Sequence, residues 1–211
     1  MSNTEFDTTG DRSGVAVGIV AANDDPEGLG RVKLTFPWRK SDAESHWARV
    51  ATPMAGDEMG AYFLPQVGDE VLVAFDNGNI DHPYVVGSLW NGDQPPPEDD
   101  SDGENDVRTI RSESEHEIVL DDTDQEGKVE ITTSAGHTIS LDDSTGSETI
   151  TIEDKSGSNT IEFDATQGAL DITAGTSLTV EAPTIELAAD GNLTVDAGGV
   201  LTLQGSLVSI N

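Results

Sequence analysis

Four histidines, His46, His82, His116 and His137, are the side chains here best suited to hold a metal or move a proton near neutral pH. No two of them stand at metal-ligand spacing, and each borders a turn or a strand start, the ordinary place for a solvated imidazole. Ser112, His116 and Asp121 supply the three residue types of a nucleophilic triad, but they share one short stretch with no oxyanion-hole signature. Paired carboxylates, the equipment of a glycosidase, recur as Asp121-Asp122 and Asp142-Asp143. They fall at the turns of a repeat, where Asx-turn chemistry accounts for them. Calcium is another use for such acids, yet the Gly-Gly-x-Gly-x-Asp motif of ion-binding solenoids is absent. With no cysteine, thiolate ligands and disulfides are excluded. The residues therefore predict no catalytic site, no metal site and no cofactor.

What must be positioned is charge and apolar surface. The 211 residues carry 41 Asp and Glu against 10 Lys and Arg, a net charge of −31. The acids lie between regularly spaced Val, Ile and Leu, so they read as the solvent face of a folded protein rather than as a tail. Lysine is scarce throughout, which favours a high-salt cytoplasm, where repulsion is screened, over mimicry of nucleic acid. The N-terminal "MSNTEFDTTGDRSG" lacks a basic and an apolar signal region, and runs such as Ile19-Val20-Ala21-Ala22 are too short to span a bilayer. Assembly in the cytoplasm is the expectation.

The front half alternates strand and turn. In "DDPEGLGRVKLTFPW" (24–38), Asp25, Pro26, Gly28 and Gly30 are turn residues. Val32, Leu34 and Phe36 then point one way and Arg31, Lys33 and Thr35 the other. Strands are expected over 14–22, 30–36, 46–52, 70–76 and 83–89, with Gly68-Asp69 turning and Asn77-Gly78 closing a hairpin. Five short antiparallel strands in this length fit a small closed barrel of the OB type. Such barrels often bind nucleic acid, but Trp38, Trp47, Tyr62 and Phe63 lie among many acids and few cations, so phosphate repulsion argues against it. The organisation is a polar stretch 1–13, expected to be flexible, the barrel 14–92, a Pro-rich and acidic linker 93–107, and a repeat region 108–211.

Apolar pairs flanking one residue recur from Ile118/Leu120 through Val129/Ile131, Ile139/Leu141, Ile150/Ile152, Ile161/Phe163 and Leu170/Ile172. They continue through Leu178/Val180, Ile185/Leu187, Leu193/Val195, Leu201/Leu203 and Val208/Ile210. The first members are spaced 11, 10, 11, 11, 9, 8, 7, 8, 8 and 7 residues apart. A unit of one short strand and one turn cannot bury a face alone and must stack. A triangular cross-section needs three strands per layer. Either three successive repeats of one chain make each layer, or three chains contribute one repeat each.

The pieces "DPEGLGRVK", "PW", "WARV", "PMAGDEMGAYFLPQVGDEVLVAF" and "GSLWNG" resemble, in order and spacing, the OB-fold domain of contractile-tail spike proteins. These are the phage baseplate assembly protein V group, the VgrG proteins of type VI secretion and related extracellular injection systems. "TIRSESEHEIVLDD" (109–122) and the repeats after it are similar to the needle that follows that domain there. The resemblance implies an all-β protein, an OB barrel followed by an intertwined, trimeric, triple-stranded β-helix, about 50 Å long at ~4.8 Å per strand. It implies a non-enzymatic homotrimeric spike of a virion or injection particle that pierces a target cell envelope. It also implies a separate hub protein, because only about thirteen residues precede the barrel. Arg31, Lys33 and Trp38 are the residues expected to meet the hub or baseplate. Residues 91–107 have no room for the lysozyme domain of some phage relatives, and "GVLTLQGSLVSIN" has no His-x-His iron site. A PAAR-type tip protein is therefore expected on Leu207, Val208, Ile210 and Asn211. A trimeric tail fibre or adhesin, and a barrel acting as a binding module, are the alternatives.

Overall fold

The computed structural model describes residues 14–41 and 43–210; the stretch 1–13, expected to be flexible, lies outside them. Every regular element among these residues is a strand. The chain divides into two compact units, Met1–Thr109 and Ile110–Asn211.

In the first unit, β1 (Val15–Ala22), β2 (Arg31–Thr35), β3 (Ala48–Val50), β6 (Glu70–Asp76) and β7 (Asn79–Ser88) close a barrel in the order β1-β2-β3-β7-β6. The alternation in β2 does what it predicts: Val32 and Leu34 are fully buried, and Phe36 just beyond the strand nearly so. They pack with Val20, Val71, Val73 and Val85 into a core of small aliphatics, as the low aromatic content requires. Gly18 is where this core comes closest to the backbone; a Cβ there would lie 3.1 Å from Val73 Cγ2 and 3.3 Å from Phe36. Asn77 (φ 48°) and Gly78 (φ 81°) are both left-handed, so they form the two-residue turn that joins β6 to β7. That turn starts β7 at Asn79, earlier than the run at 83 suggested.

One expectation about the barrel is corrected. The strands are not all antiparallel: β3 and β7 run parallel, with Arg49 opposite Tyr84 and Val50 opposite Val85. A closed ring with an odd number of strands must contain at least one parallel junction. Between β3 and β6 the chain also forms a small hairpin, β4 (Ala55–Gly56) with β5 (Met59–Gly60), inside a stretch with no alternating apolar pattern to announce it.

In the repeat region, β8 (Val107–Arg111), β9 (Glu117–Asp121), β10 (Lys128–Thr132), β11 (Thr138–Asp142), β12 (Thr149–Glu153), β13 (Thr160–Asp164) and β14 (Ala169–Thr173) form one sheet in sequence order. From β9 to β14 each strand pairs antiparallel with the next along five residues. Neither expected layering applies to them, since each of these repeats turns back on its predecessor. A repeat of about eleven residues is long enough for a five-residue strand and a hairpin turn, so the nearest partner is its own neighbour. The register stacks the apolar pairs into two columns on one face. Ile118, Ile131, Ile139, Ile152, Ile161 and Ile172 make a column of isoleucine alone, and Leu120, Val129, Leu141, Ile150, Phe163 and Leu170 make the other.

After Thr173 the pattern changes. Among the described residues, 176–210 belong to no strand and make no hydrogen bond to the rest of the chain. Bends recur at Gly175-Thr176, Pro183, Asp190-Gly191, Gly198-Gly199 and Ser206, at the seven- to eight-residue spacing of the shortened repeats.

Candidate functional site

The turn before β2 is held by one carboxylate. Asp25 Oδ2 and Oδ1 accept hydrogen bonds from Arg31 Nε (2.8 Å) and Nη2 (2.7 Å). The same two oxygens accept from the backbone amides of Glu27 (3.1 Å) and Leu29 (3.0 Å). Gly28 and Gly30 take left-handed φ values of 67° and 65° to bring those amides inward. The Arg31 guanidinium, with help from the two amides, holds the Asp25 carboxyl well below the usual carboxylate range. Glu27 adds a second contact to Arg31 at 3.4 Å. Arg31 is thus the clasp of its own turn, a bidentate pair six residues apart that spacing alone does not announce.

Lys33 lies on the same outer face, 3.0 Å from Glu44 and 5.5 Å above the Trp47 ring. Trp38 packs its ring 5.2 Å from Phe36 and remains 39% exposed. The three residues expected to face a hub therefore lie on β2 or just after it, with Arg31 and Lys33 already engaged within the chain. Sequence reasoning passed over Arg49, the cross-strand partner of Arg31. It also passed over the groove of about 890 Å³ that Arg49 borders with Leu29, Met54, Met59 and Tyr62.

The imagined triad does not assemble. Ser112 Oγ accepts from the His116 amide (3.0 Å), and His116 Nδ1 accepts from the Ser134 amide (3.2 Å). Asp121, at the other end of β9, accepts from the amide and hydroxyl of Thr123. The acids at the repeat turns do the Asx-turn work expected of them. Asp142 accepts from the Ser144 amide, and Asp154 accepts from the Ser158 and Asn159 amides and the Ser156 hydroxyl. Those bonds, the Asn159 amide first, pull Asp154 down to about 2. Among the described residues no group of three His, Cys, Asp or Glu is placed to hold a metal ion, and no helix is long and apolar enough to cross a membrane.

The repeat region presents bare apolar surface. Both columns of the sheet are open: Ile118 is 38% exposed, Ile152 45% and Phe163 43%. Monomeric proteins seldom leave a continuous apolar face of this kind uncovered. Beyond the sheet every described residue from 175 to 210 is exposed. The expected tip residues Leu207, Val208 and Ile210 are among them, while Asn211 lies outside the described residues.

The barrel sequence is similar to sequences of known proteins. Residues 16–90 match the model of the type VI secretion system and phage-baseplate injector OB domain. This stretch is similar to an injector OB domain. Over 69 residues the chain is 39% identical to the type VI secretion system spike protein VgrG3 of Vibrio cholerae, covering 31% of this chain and 7% of that protein. Over 92 residues it is 33% identical to the spike protein VgrG1a of Pseudomonas aeruginosa, covering 42% of this chain and 14% of that one. The actin cross-linking toxin VgrG1 of Vibrio cholerae is 38% identical over 72 residues, 32% of this chain and 7% of the toxin. The matched stretches are thus a small part of each of these relatives. What is shared is the injector OB domain of VgrG-like baseplate spikes.

Proposed function

We propose that this chain is a homotrimeric central spike of a contractile injection apparatus, in which the injector OB domain joins a baseplate hub and the repeat region forms the piercing rod. The observation that carries the reading is the state of residues 176–210: apolar pairs exposed, no hydrogen bond among the described residues, and a bend every seven to eight residues. Covering the apolar pairs takes the neighbouring backbone amides and carbonyls out of water, where they need partners, and a segment this regular takes them from other copies winding in step. In that assembly the tail is the intertwined, triple-stranded β-helix. Each seven-stranded sheet supplies one wall around the axis and turns its two apolar columns inward.

The mechanism is mechanical. Contraction of a sheath drives the spike forward, and a narrow rod concentrates the force on the target envelope. Closely spaced inter-strand hydrogen bonds resist bending, while the acidic outer face keeps the rod soluble at high salt. A baseplate hub meets the barrel near Arg31, Lys33 and Trp38. A PAAR-type tip docks over Leu207, Val208 and Ile210, whose 84%, 50% and 85% exposure leaves apolar surface for it to cover. No step of this action calls for a catalytic residue or a cofactor.

Native mass tests the reading. The full chain should sediment at three times 22.2 kDa in molar salt. Ile152→Asp, in the middle of the isoleucine column, removes burial worth about 1.5–3 kcal/mol in each copy and should yield monomers with a folded barrel. A wild-type monomer, or an Ile152→Asp protein that stays trimeric, would overturn the proposal.

A further inference from the structure

Residues 31–49 hold five of the ten Lys and Arg against two acids, in a chain of net charge −31. Residues 50–107 hold no Lys or Arg. Every cation of the described barrel therefore lies on β2, on β3 or on the connection between them. Arg31 and Arg49 stand directly opposite each other on adjacent strands, an arrangement in which like charges repel. Arg31 is neutralised by Asp25 and Glu27. Arg49 is exposed and, among the described residues, has no ion pair.

Beside Arg49 runs the groove walled by Leu29, Met54, Met59 and Tyr62, which are 65%, 54%, 62% and 76% exposed. Its far wall, the β4–β5 hairpin, is a fixed part of the barrel unit. The Ala61 amide donates to the Met54 carbonyl at 3.0 Å, and the Thr52 hydroxyl donates to the Ala61 carbonyl. Gly60, at φ 150°, sits so close to the Met54 carbonyl that no Cβ fits. Tyr62 lies against Gly30, where a Cβ would approach its ring to 3.4 Å.

We propose that this groove docks an acidic segment of a partner protein, with a carboxylate on Arg49 and one large aliphatic or aromatic side chain between Leu29, Met59 and Tyr62. A carboxylate there gives Arg49 the kind of charge partner that Arg31 already has in Asp25, and the two unbranched methionines adapt to the shape of the anchor. A nucleic-acid strand is the poorer occupant. The Trp47 face that would stack a base is taken by Lys33, and one unpaired guanidinium does not neutralise successive phosphates. The proposal concerns the barrel and stands whether or not the chain forms a spike.

The probe is a fluorescent twelve-residue peptide of alternating Asp and Gly with two central leucines, titrated by anisotropy against the full chain in 1 M KCl. Its controls are the same peptide with serines for leucines and a twelve-nucleotide oligo(dT). Saturable binding of the leucine peptide is expected, at least tenfold weaker for the serine peptide. Arg49→Glu and Met59→Asp should each weaken it at least tenfold. Both positions are exposed, and a melting curve for each variant checks its fold; Arg49→Gln replaces any glutamate variant that melts early. Failure of the leucine peptide to saturate below 1 mM overturns the proposal, including when a second copy of the chain covers the groove. So does equal binding by the variants, or tighter binding of oligo(dT).

Discussion

The Gly175 amide donates to Asn159 Oδ1 at 3.1 Å, the last hydrogen bond the chain makes with itself among the described residues. It closes a series along one edge of the sheet. His116 Nδ1 accepts from the Ser134 amide, and His137 Nδ1 accepts from the Lys155 amide at 3.3 Å. In each step the residue ending one turn holds the backbone of the next turn on that edge. For the neutral imidazoles this places the proton on Nε2. At Gly175 the series ends, just where the repeats shorten from nine or more residues to eight or fewer.

Hydrogen exchange should expose that boundary. In the assembled protein at molar salt, amides of 176–210 should exchange slowly although they have no partner among the described residues of their own chain. On dilution to conditions that dissociate the copies, they should exchange first, ahead of β9–β13. Fast exchange of 176–210 in the assembled state would mean that other copies do not supply the missing hydrogen bonds.

Salt should matter steeply. Bringing together copies of net charge −31 sets up repulsion that weakens as the Debye length falls from ~10 Å at 0.1 M to ~3 Å at 1 M. The thermal midpoint of the assembly should rise strongly between those conditions. A flat response would show that the charges are compensated locally and would remove the reason to assign the protein to a high-salt cytoplasm.

Acid should act through the turn carboxylates. Asp154 is held at about 2, below an ordinary aspartate near 3.9, by the Asn159 amide and the Ser156 hydroxyl. Its folded value lies below the unfolded one, so its stabilisation is complete above about pH 4 and is lost as pH falls towards 2. The wild type should melt higher than Asp154→Asn at pH 5 to 7, and the gap should close between about pH 4 and 2. A gap that does not change with pH would mean that the asparagine fails for reasons unrelated to charge. Asp25, drawn further down by Arg31, should keep its clasp to still lower pH.

Much of the barrel is legible in local pattern. Val32, Leu34 and Phe36 alternate with Arg31, Lys33 and Thr35, and Asn77-Gly78 has the chemistry of a two-residue hairpin turn. The similarity to an injector OB domain is legible in ordered short motifs over a stretch that the family model also matches. Ser112 and His116 share the turn before β9 and Asp121 holds the one after it, which agrees with their reading as turn residues.

By itself the sequence determined which residues turn inward, where the chain turns, and that the apolar pairs of the repeats need cover. Periodicity of two reports which face of a strand is apolar, but it does not report what lies across from that face. Only the tertiary structure decided that the eleven-residue repeats pair with their own neighbours and stack isoleucine on isoleucine, while residues 176–210 have no hydrogen-bond partner among the described residues. It also decided that Arg31 spends its charge on Asp25, leaving Arg49 opposite it without an ion pair among the described residues. Pairing across strands and clasps across turns join residues that local pattern treats separately. Their geometry exists only once the backbone has closed on itself.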